Sequence, residues 1–149
     1  MIAIASDTAG LGLKADIIGL LGELGVEYKD LGVYGTDPPG ADYPDYGQKA
    51  ARAVLSGECD RGVIICGTGV GISIAANRFP GIRAALCGDV FTAKACRQHN
   101  DANILALGAR VVGPGLAREI TSAFLGTPFS GEERHARRVK KIEVNADDR

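Results

Sequence analysis

The sequence predicts an α/β sandwich around a parallel sheet of five strands, with a charged helix at its C-terminal end. Three observations carry that expectation. Five short apolar runs alternate with segments of helical periodicity, the order expected of βαβ units. Glycine is in surplus, 21 of 149 residues against a usual share of about 7%, and it is interspersed with Ile, Val, Leu and Ala. Aromatic residues make up only 5% of a chain that is 46% hydrophobic. Surplus glycine in an aliphatic, aromatic-poor chain points to many tight strand-to-helix turns. A chain of this length buries roughly 68–70% of its unfolded surface in one core, so a single domain over residues 1–149 is expected.

Ile2 to Ser6 is a short apolar run ending at Asp7, which suits a buried parallel strand. Leu13 to Leu24 reads as a helix, with Leu13, Ile17, Leu20, Leu21 and Leu24 on one stripe and Gly25 as its stop. Val26 to Leu31 is a second strand, and Gly32 to Pro44, containing Pro38-Pro39-Gly40, a loop. The Ala-rich stretch Tyr46 to Leu55 is helical. Gly62-Val-Ile-Ile-Cys66 is the clearest strand, followed directly by Gly67-Thr68-Gly69-Val70-Gly71 and a helix from Ile72 to Asn77. Ile82 to Cys87 is a strand, Val90 to Arg97 a helix and Asn103 to Leu107 the fifth strand. Pro114 to Leu125 reads as a helix with proline near its first turn, and Glu132 to Val144 as the final helix.

Bulk properties exclude several classes. Seventeen Lys and Arg against 18 Asp and Glu leave a net charge of −1, so no global field draws in nucleic acid or an anionic membrane. No apolar run approaches the ~18 residues of a membrane span. The first residues, Met-Ile-Ala-Ile-Ala-Ser-Asp, lack the basic stretch of a secretory signal. Cys59, Cys66, Cys87 and Cys96 show no C-x-x-C pairing and read as free thiols in a reducing cytoplasm.

In open α/β sheets ligands sit beyond the carboxyl ends of the strands. Here those ends are Asp7-Thr8, Cys66-Gly67-Thr68, Gly88-Asp89 and Gly108-Ala109-Arg110. The loop from Gly67 to Gly71 offers backbone N–H groups at a helix start, suited to an anion; a tight turn using glycine for sterics alone is the other reading. Because the pattern is neither G-x-G-x-x-G nor G-x-x-x-x-G-K, it gives a nucleotide little support. Cys66 ends a buried strand facing that helix start, where its pKa can fall below ~8.5. Cys59, Cys87 and Cys96 read as inert core residues. His99 stands in Arg97-Gln98-His99-Asn100-Asp101, a polar stretch from which an imidazole of pKa ~6.5 could move protons. Simple topology places it at the opposite edge of the sheet, so it needs a partner subunit or an irregular turn to join the other groups. Arg134 and Arg138 are four apart, on one helix face, and could fork onto one phosphate; a solvated face is the alternative.

These motifs together resemble a known family. The residues are Cys66-Gly-Thr-Gly-Val-Gly-Ile-Ser-Ile-Ala-Ala-Asn-Arg78, Gly81-Ile-Arg-Ala84, Arg97-Gln-His-Asn-Asp-Ala-Asn103, Gly108-Ala-Arg-Val-Val-Gly113 and Arg134-His-x-x-Arg138. From Ile2 to about Ile142 the chain is similar to the B-type ribose-5-phosphate isomerases, a group that includes allose-6-phosphate and galactose-6-phosphate isomerases. The resemblance implies a Rossmann-like three-layer α/β/α fold, no metal or other cofactor, and a homodimer (or a tetramer of paired dimers) with sites shared between subunits. It also implies aldose–ketose isomerisation of a small phosphorylated sugar through a cis-enediolate. Carried over, Cys66 is the base between C2 and C1, while Thr68 and the N–H groups of Gly67, Gly69, Val70 and Gly71 hold the enediolate oxygens. His99 of the partner subunit, with Asp7, assists ring opening, and Asn100 bonds sugar hydroxyls. Arg110, Arg134 and Arg138 clamp the phosphate, with His135 assisting.

Two positions carry more information. Another branch of the family uses a glutamate base after the glycines; this chain has Ile72 there, leaving Cys66 for the task. The family's first strand usually ends Asp-His-x-Gly, and here it reads Asp7-Thr8-Ala9-Gly10. Thr8 can donate a hydrogen bond but carries no charge. That departure weakens phosphate binding or shifts preference to another sugar phosphate, whereas the retained His99 suits a substrate that needs ring opening, so ribose 5-phosphate is the first expectation. An isomerase of allose 6-phosphate or a tetrose phosphate, or a non-catalytic module binding a nucleotide or sugar phosphate, are the alternatives.

Overall fold

In the computed structural model, which describes residues 1–144, the elements follow in strict alternation until the end. They are β1 (Ile2–Ser6), α1 (Leu11–Glu23), β2 (Tyr28–Asp30), α2 (Tyr43–Leu55), β3 (Arg61–Cys66), α3 (Val70–Ala76), β4 (Ala84–Leu86), α4 (Val90–Asn100), β5 (Ile104–Gly108), α5 (Pro114–Gly126) and α6 (Glu133–Ile142). All strands are parallel, in the order β2-β1-β3-β5-β4. The expected α/β sandwich is the one observed.

Period-2 alternation sends each strand's side chains to two different cores. Ile2 and Ile4 of β1, Val63 and Ile65 of β3, and Leu105 and Leu107 of β5 pack with α1, α4 and α5 around Phe124. Ala3, Ala5, Ile64, Cys66, Ile104 and Ala106 pack on the other face under α2 and α3. The second face is small: Ala50, Ala51 and Ala53 of α2 let that helix lie close to the sheet. A Cβ on Gly47 would meet the Ile72 carbonyl at 2.9 Å, so α2 and α3 touch backbone to backbone there. Both faces of the sheet are covered, as an all-parallel sheet requires.

Several element ends differ from expectation, each for a local reason. α2 begins at Tyr43 rather than Tyr46, because Pro44 falls in the first turn, where a missing N–H leaves nothing unpaired. β4 begins at Ala84 rather than Ile82. The Ala84 amide donates to Asn77 Oδ1 at 2.7 Å and its carbonyl accepts from Asn77 Nδ2 at 2.9 Å, so a side chain borders this edge strand. α4 continues to Asn100 and stops where Asp101 turns left-handed at φ 48. α6 ends at Ile142 because the Glu143 carboxylate folds back to accept from the Gly81 amide at 2.9 Å and Arg83 at 3.1 Å. Gly19 and Gly22 lie inside α1, and nothing in their surroundings explains glycine there. The acidic residues Asp147 and Asp148 lie outside the described residues.

Candidate active site

The strand order reverses between β1 and β3: the chain winds outward to β2 on one side and to β5 and β4 on the other. Such a switch point opens a crevice beyond the carboxyl ends of the two strands. Here it holds a cleft of about 240 Å³ lined by Asp7, Ala9, Tyr43, Cys66, Gly67, Thr68, Gly71 and Arg110.

Each wall of the cleft has a backbone reason to be where it is. The turns after β3 and β5 are stitched together, with the Ala109 amide on the Cys66 carbonyl and the Arg110 amide on the Gly67 carbonyl, both 2.9 Å. That places the Arg110 guanidinium over Gly67, where a Cβ would stand 3.0 Å from Nη1. Gly69 adopts φ +77 as the residue before α3, and a Cβ there would lie 2.9 Å from the Leu107 backbone. The Cys66 thiol is 4% exposed, and its Sγ accepts the Gly69 amide at 3.1 Å. Thr68 Oγ1 accepts the Val70 amide at 3.2 Å. The N–H groups of Gly69 and Val70 are thus already engaged, and Gly67 and Thr68 of the loop and Gly71 in the first turn of α3 face the cleft. Asp7 sits at the end of β1 with its carboxylate on the Gly10 amide at 3.0 Å. The hydroxyl of Thr8 turns outward to accept the Ala41 amide at 3.3 Å, and Thr8 does not line the cleft.

The remaining candidates lie elsewhere. α4 runs back from the carboxyl edge, so His99 and Asn100 emerge at the amino edge, beside α6 with Arg134, His135 and Arg138. None of them lines the Cys66 cleft. The His99 and His135 rings stack with centroids 4.4 Å apart and planes 16° from parallel. Arg134 Nε lies 3.0 Å from Glu132 and is exposed, as is Arg138. Burial, with His99 and Arg134 beside it, holds the His135 imidazole below its ordinary value of 6.5. Arg97, read with His99 as part of a polar loop, is instead buried. It binds the Thr127 carbonyl at 3.2 Å, Asp101 at 2.9 Å and the Ala102 carbonyl at 2.5 Å, and so holds the end of α4 in place.

One lining residue escaped the sequence reading. The Tyr43 ring closes over Gly71, where a Cβ would stand 2.6 Å from it. The signal was present: Asp42 before a proline in a first turn marks a helix start, which would have put Tyr43 at the carboxyl edge. The other three cysteines are core residues. Cys87 and Cys96 are buried with their sulfurs 3.9 Å apart, and the contact together with burial holds the Cys87 thiol far above its ordinary range. A larger cleft of about 640 Å³ runs beside β4 between Phe79, Arg83 and Ile142. Its Arg83 is already bound by Asp101 and Glu143. Among the described residues no three His, Cys, Asp or Glu side chains cluster to hold a metal ion, and no helix is long and apolar enough to cross a membrane.

The fold and the cleft define an α/β protein whose site, at a switch point of a parallel sheet, joins a thiol, a carboxylate, a guanidinium and a glycine-rich donor loop. Residues 2–142 match the family model described as Ribose/Galactose Isomerase, and the chain belongs to that family of sugar-phosphate isomerases. It is 50% identical to ribose-5-phosphate isomerase B of Escherichia coli (strain K12), over 95% of this chain and 93% of that one. It is 43% identical to D-erythrulose-4-phosphate isomerase of Pectobacterium atrosepticum, over 95% and 91% respectively. Among solved structures, ribose-5-phosphate isomerase B of Clostridium thermocellum superposes with a TM-score of 0.90 at 55% identity, over 95% of this chain and 93% of that one.

Proposed function

We propose that this chain interconverts ribose 5-phosphate and ribulose 5-phosphate through a cis-enediolate, with Cys66 as the base. The observation that carries the reading is the buried Cys66 sulfur, which accepts an amide at 3.1 Å in a cleft it shares with Thr68, Gly71 and Arg110. The amide fixes the sulfur at the head of the glycine loop, facing the cleft from which it would take a proton. The thiolate removes the proton on C2, the electron pair becomes the C1–C2 double bond, and the C1 oxygen takes the negative charge. The C2 oxygen passes its proton to the C1 oxygen, and the thiol returns its own to C1, giving the ketose. Donors aimed at the developing charge lower that barrier; Thr68 and the Gly71 amide, which line the cleft, would take that part, whereas the Gly69 and Val70 amides are engaged within the loop. Arg110 supplies positive charge over Gly67, for the phosphate.

The second half of the site comes from a partner subunit. In a homodimer, the partner's His99 and the Asp7 carboxylate open the furanose ring, and the partner's Asn100 bonds sugar hydroxyls. The partner's Arg134 and the partner's Arg138 join Arg110 on the phosphate. The separation of the two residue groups within one chain supports this reading, since neither group makes a complete site alone.

The test is ketose formation from ribose 5-phosphate by purified protein in EDTA. Turnover is expected, with loss of about 100-fold or more in Cys66→Ala, the usual scale for a removed general base. Wild-type turnover in that variant overturns the mechanism. Thr8, uncharged and turned away from the cleft, favours one second reading, a tetrose phosphate, which has no furanose ring to open. The relative named for D-erythrulose 4-phosphate points the same way. Preference for erythrose 4-phosphate over both ribose 5-phosphate and allose 6-phosphate would establish it.

A further inference from the structure

We propose that His135 is a positioning residue, whose ring is the wall that holds the His99 imidazole in one orientation; this rests on reading His99 as the ring-opening group. His99 lies one residue from the end of α4, is exposed, and takes part in none of the side-chain hydrogen bonds among the described residues. The terminal torsion of a histidine is broad, so nothing in α4 by itself fixes the plane of the ring. What fixes it is α6. His135, 7% exposed, lies nearly parallel to His99 with centroids 4.4 Å apart. Its own orientation is locked by burial between the two helices.

The same geometry separates His135 from the phosphate clamp. Arg134 and Arg138 of α6 are exposed and reach outward, whereas His135 points into the protein, and its Nε2 is buried with no hydrogen-bond partner among the described residues. A ring that offers its face and hides its edge orients a neighbour better than it grips an anion. The charged groups around the pair are Glu132, the residue before α6, and Arg134 and Arg138 of α6. Burial, with His99 and Arg134 beside it, lowers the His135 pKa and so disfavours a charge on the buried ring. The His99 ring, stacked on that wall, keeps its plane while its edge stays exposed.

The experiment compares His135→Ala, which removes the wall, with His135→Phe, which keeps a flat ring of similar size and removes the nitrogens. On ribose 5-phosphate, the alanine variant is expected to lose roughly tenfold in kcat with KM within about twofold, because misplaced groups slow chemistry more than binding. The phenylalanine variant restores most of that loss, and inhibition by inorganic phosphate is unchanged in both. A rise in KM and in the phosphate inhibition constant at unchanged kcat, or phenylalanine no better than alanine, overturns the proposal in favour of a phosphate contact.

A second readout needs no turnover. With only two histidines in the chain, the His99 Hε1 proton is assigned in either variant by NMR. It is expected to keep its ring-stacked shift with phenylalanine and move with alanine. An unmoved resonance in the alanine variant overturns the wall. Wild-type protein inactive on ribose 5-phosphate, with the resonance behaving as expected, places the failure in the assigned reaction and leaves the positioning intact.

Discussion

The sulfur of Cys66 accepts the backbone N–H of Gly69 at 3.1 Å, closing a ring across the turn that joins β3 to α3. Only a residue able to take φ +77 beside the Leu107 backbone can present that N–H. The thiol and the glycine are therefore one device: the turn's shape supplies the hydrogen bond that holds the sulfur in place.

Gly69→Ala tests that device from the backbone side. A Cβ would lie 2.9 Å from the Leu107 backbone at a left-handed φ, and the strain is expected to cost about 1–3 kcal/mol. Urea unfolding reads the cost as a lowered midpoint, and turnover of ribose 5-phosphate, expected to fall with the displaced sulfur, reads the lost contact.

The proposed sharing of each site between two subunits of a homodimer predicts complementation. Cys66→Ala and His99→Asn homodimers are each expected to be inactive on ribose 5-phosphate. Subunit exchange yields hybrids in which one of two sites is intact, so an equal mixture should recover about a quarter of wild-type activity. No recovery after verified exchange places both residues in the same chain's site.

Lys14 is buried at 2% exposure, with Nζ on Asp30 Oδ1 at 2.7 Å and the Val33 carbonyl at 2.6 Å. Asp30→Ala leaves that ammonium with one partner, an expected loss of roughly 2–4 kcal/mol. The double variant with Lys14→Met should recover part of it, measured by the shift in urea midpoint.

His135 predicts a pH dependence. Its folded-state pKa is depressed below 6.5, so the unfolded chain takes up the proton first as pH falls. This group's contribution to stability is fully present above 6.5 and declines as pH drops toward the folded value. Urea midpoints between pH 7.5 and pH 5 should therefore fall less steeply in His135→Phe than in the wild type.

Much of the site was legible before folding because the residues that carry it are consecutive. Cys66 through Gly71 must leave a strand and enter a helix within three residues, and that alone puts the thiol and the loop's amides at a carboxyl edge. What could not be read there was which amides remain free. Gly69 turns its N–H to sulfur and Val70 to the Thr68 hydroxyl, choices made by backbone torsions and by the approach of β5. Tyr43 was missed because a proline was taken to close a loop when it opens a helix. Arg97 was misread because a polar run resembles an exposed loop until its guanidinium is seen binding two carbonyls and a carboxylate.

By itself the sequence determined the alternation of five strands and their helices, since period-2 and period-3.6 patterns are local consequences of side-chain direction. It also marked Gly25 as the stop of the first helix, where φ is +66, whereas the left-handed turn at Asp101 carries no glycine to announce it. The strand order β2-β1-β3-β5-β4 was decided only in three dimensions. Any strand with two apolar faces can pair with any other, and only the joint packing of α1, α4 and α5 on one side and α2 and α3 on the other selects the neighbours. That packing opens the crevice between β1 and β3. It also brings His99 and His135, 36 positions apart, into contact through α6 lying on α4, a relation no local pattern encodes.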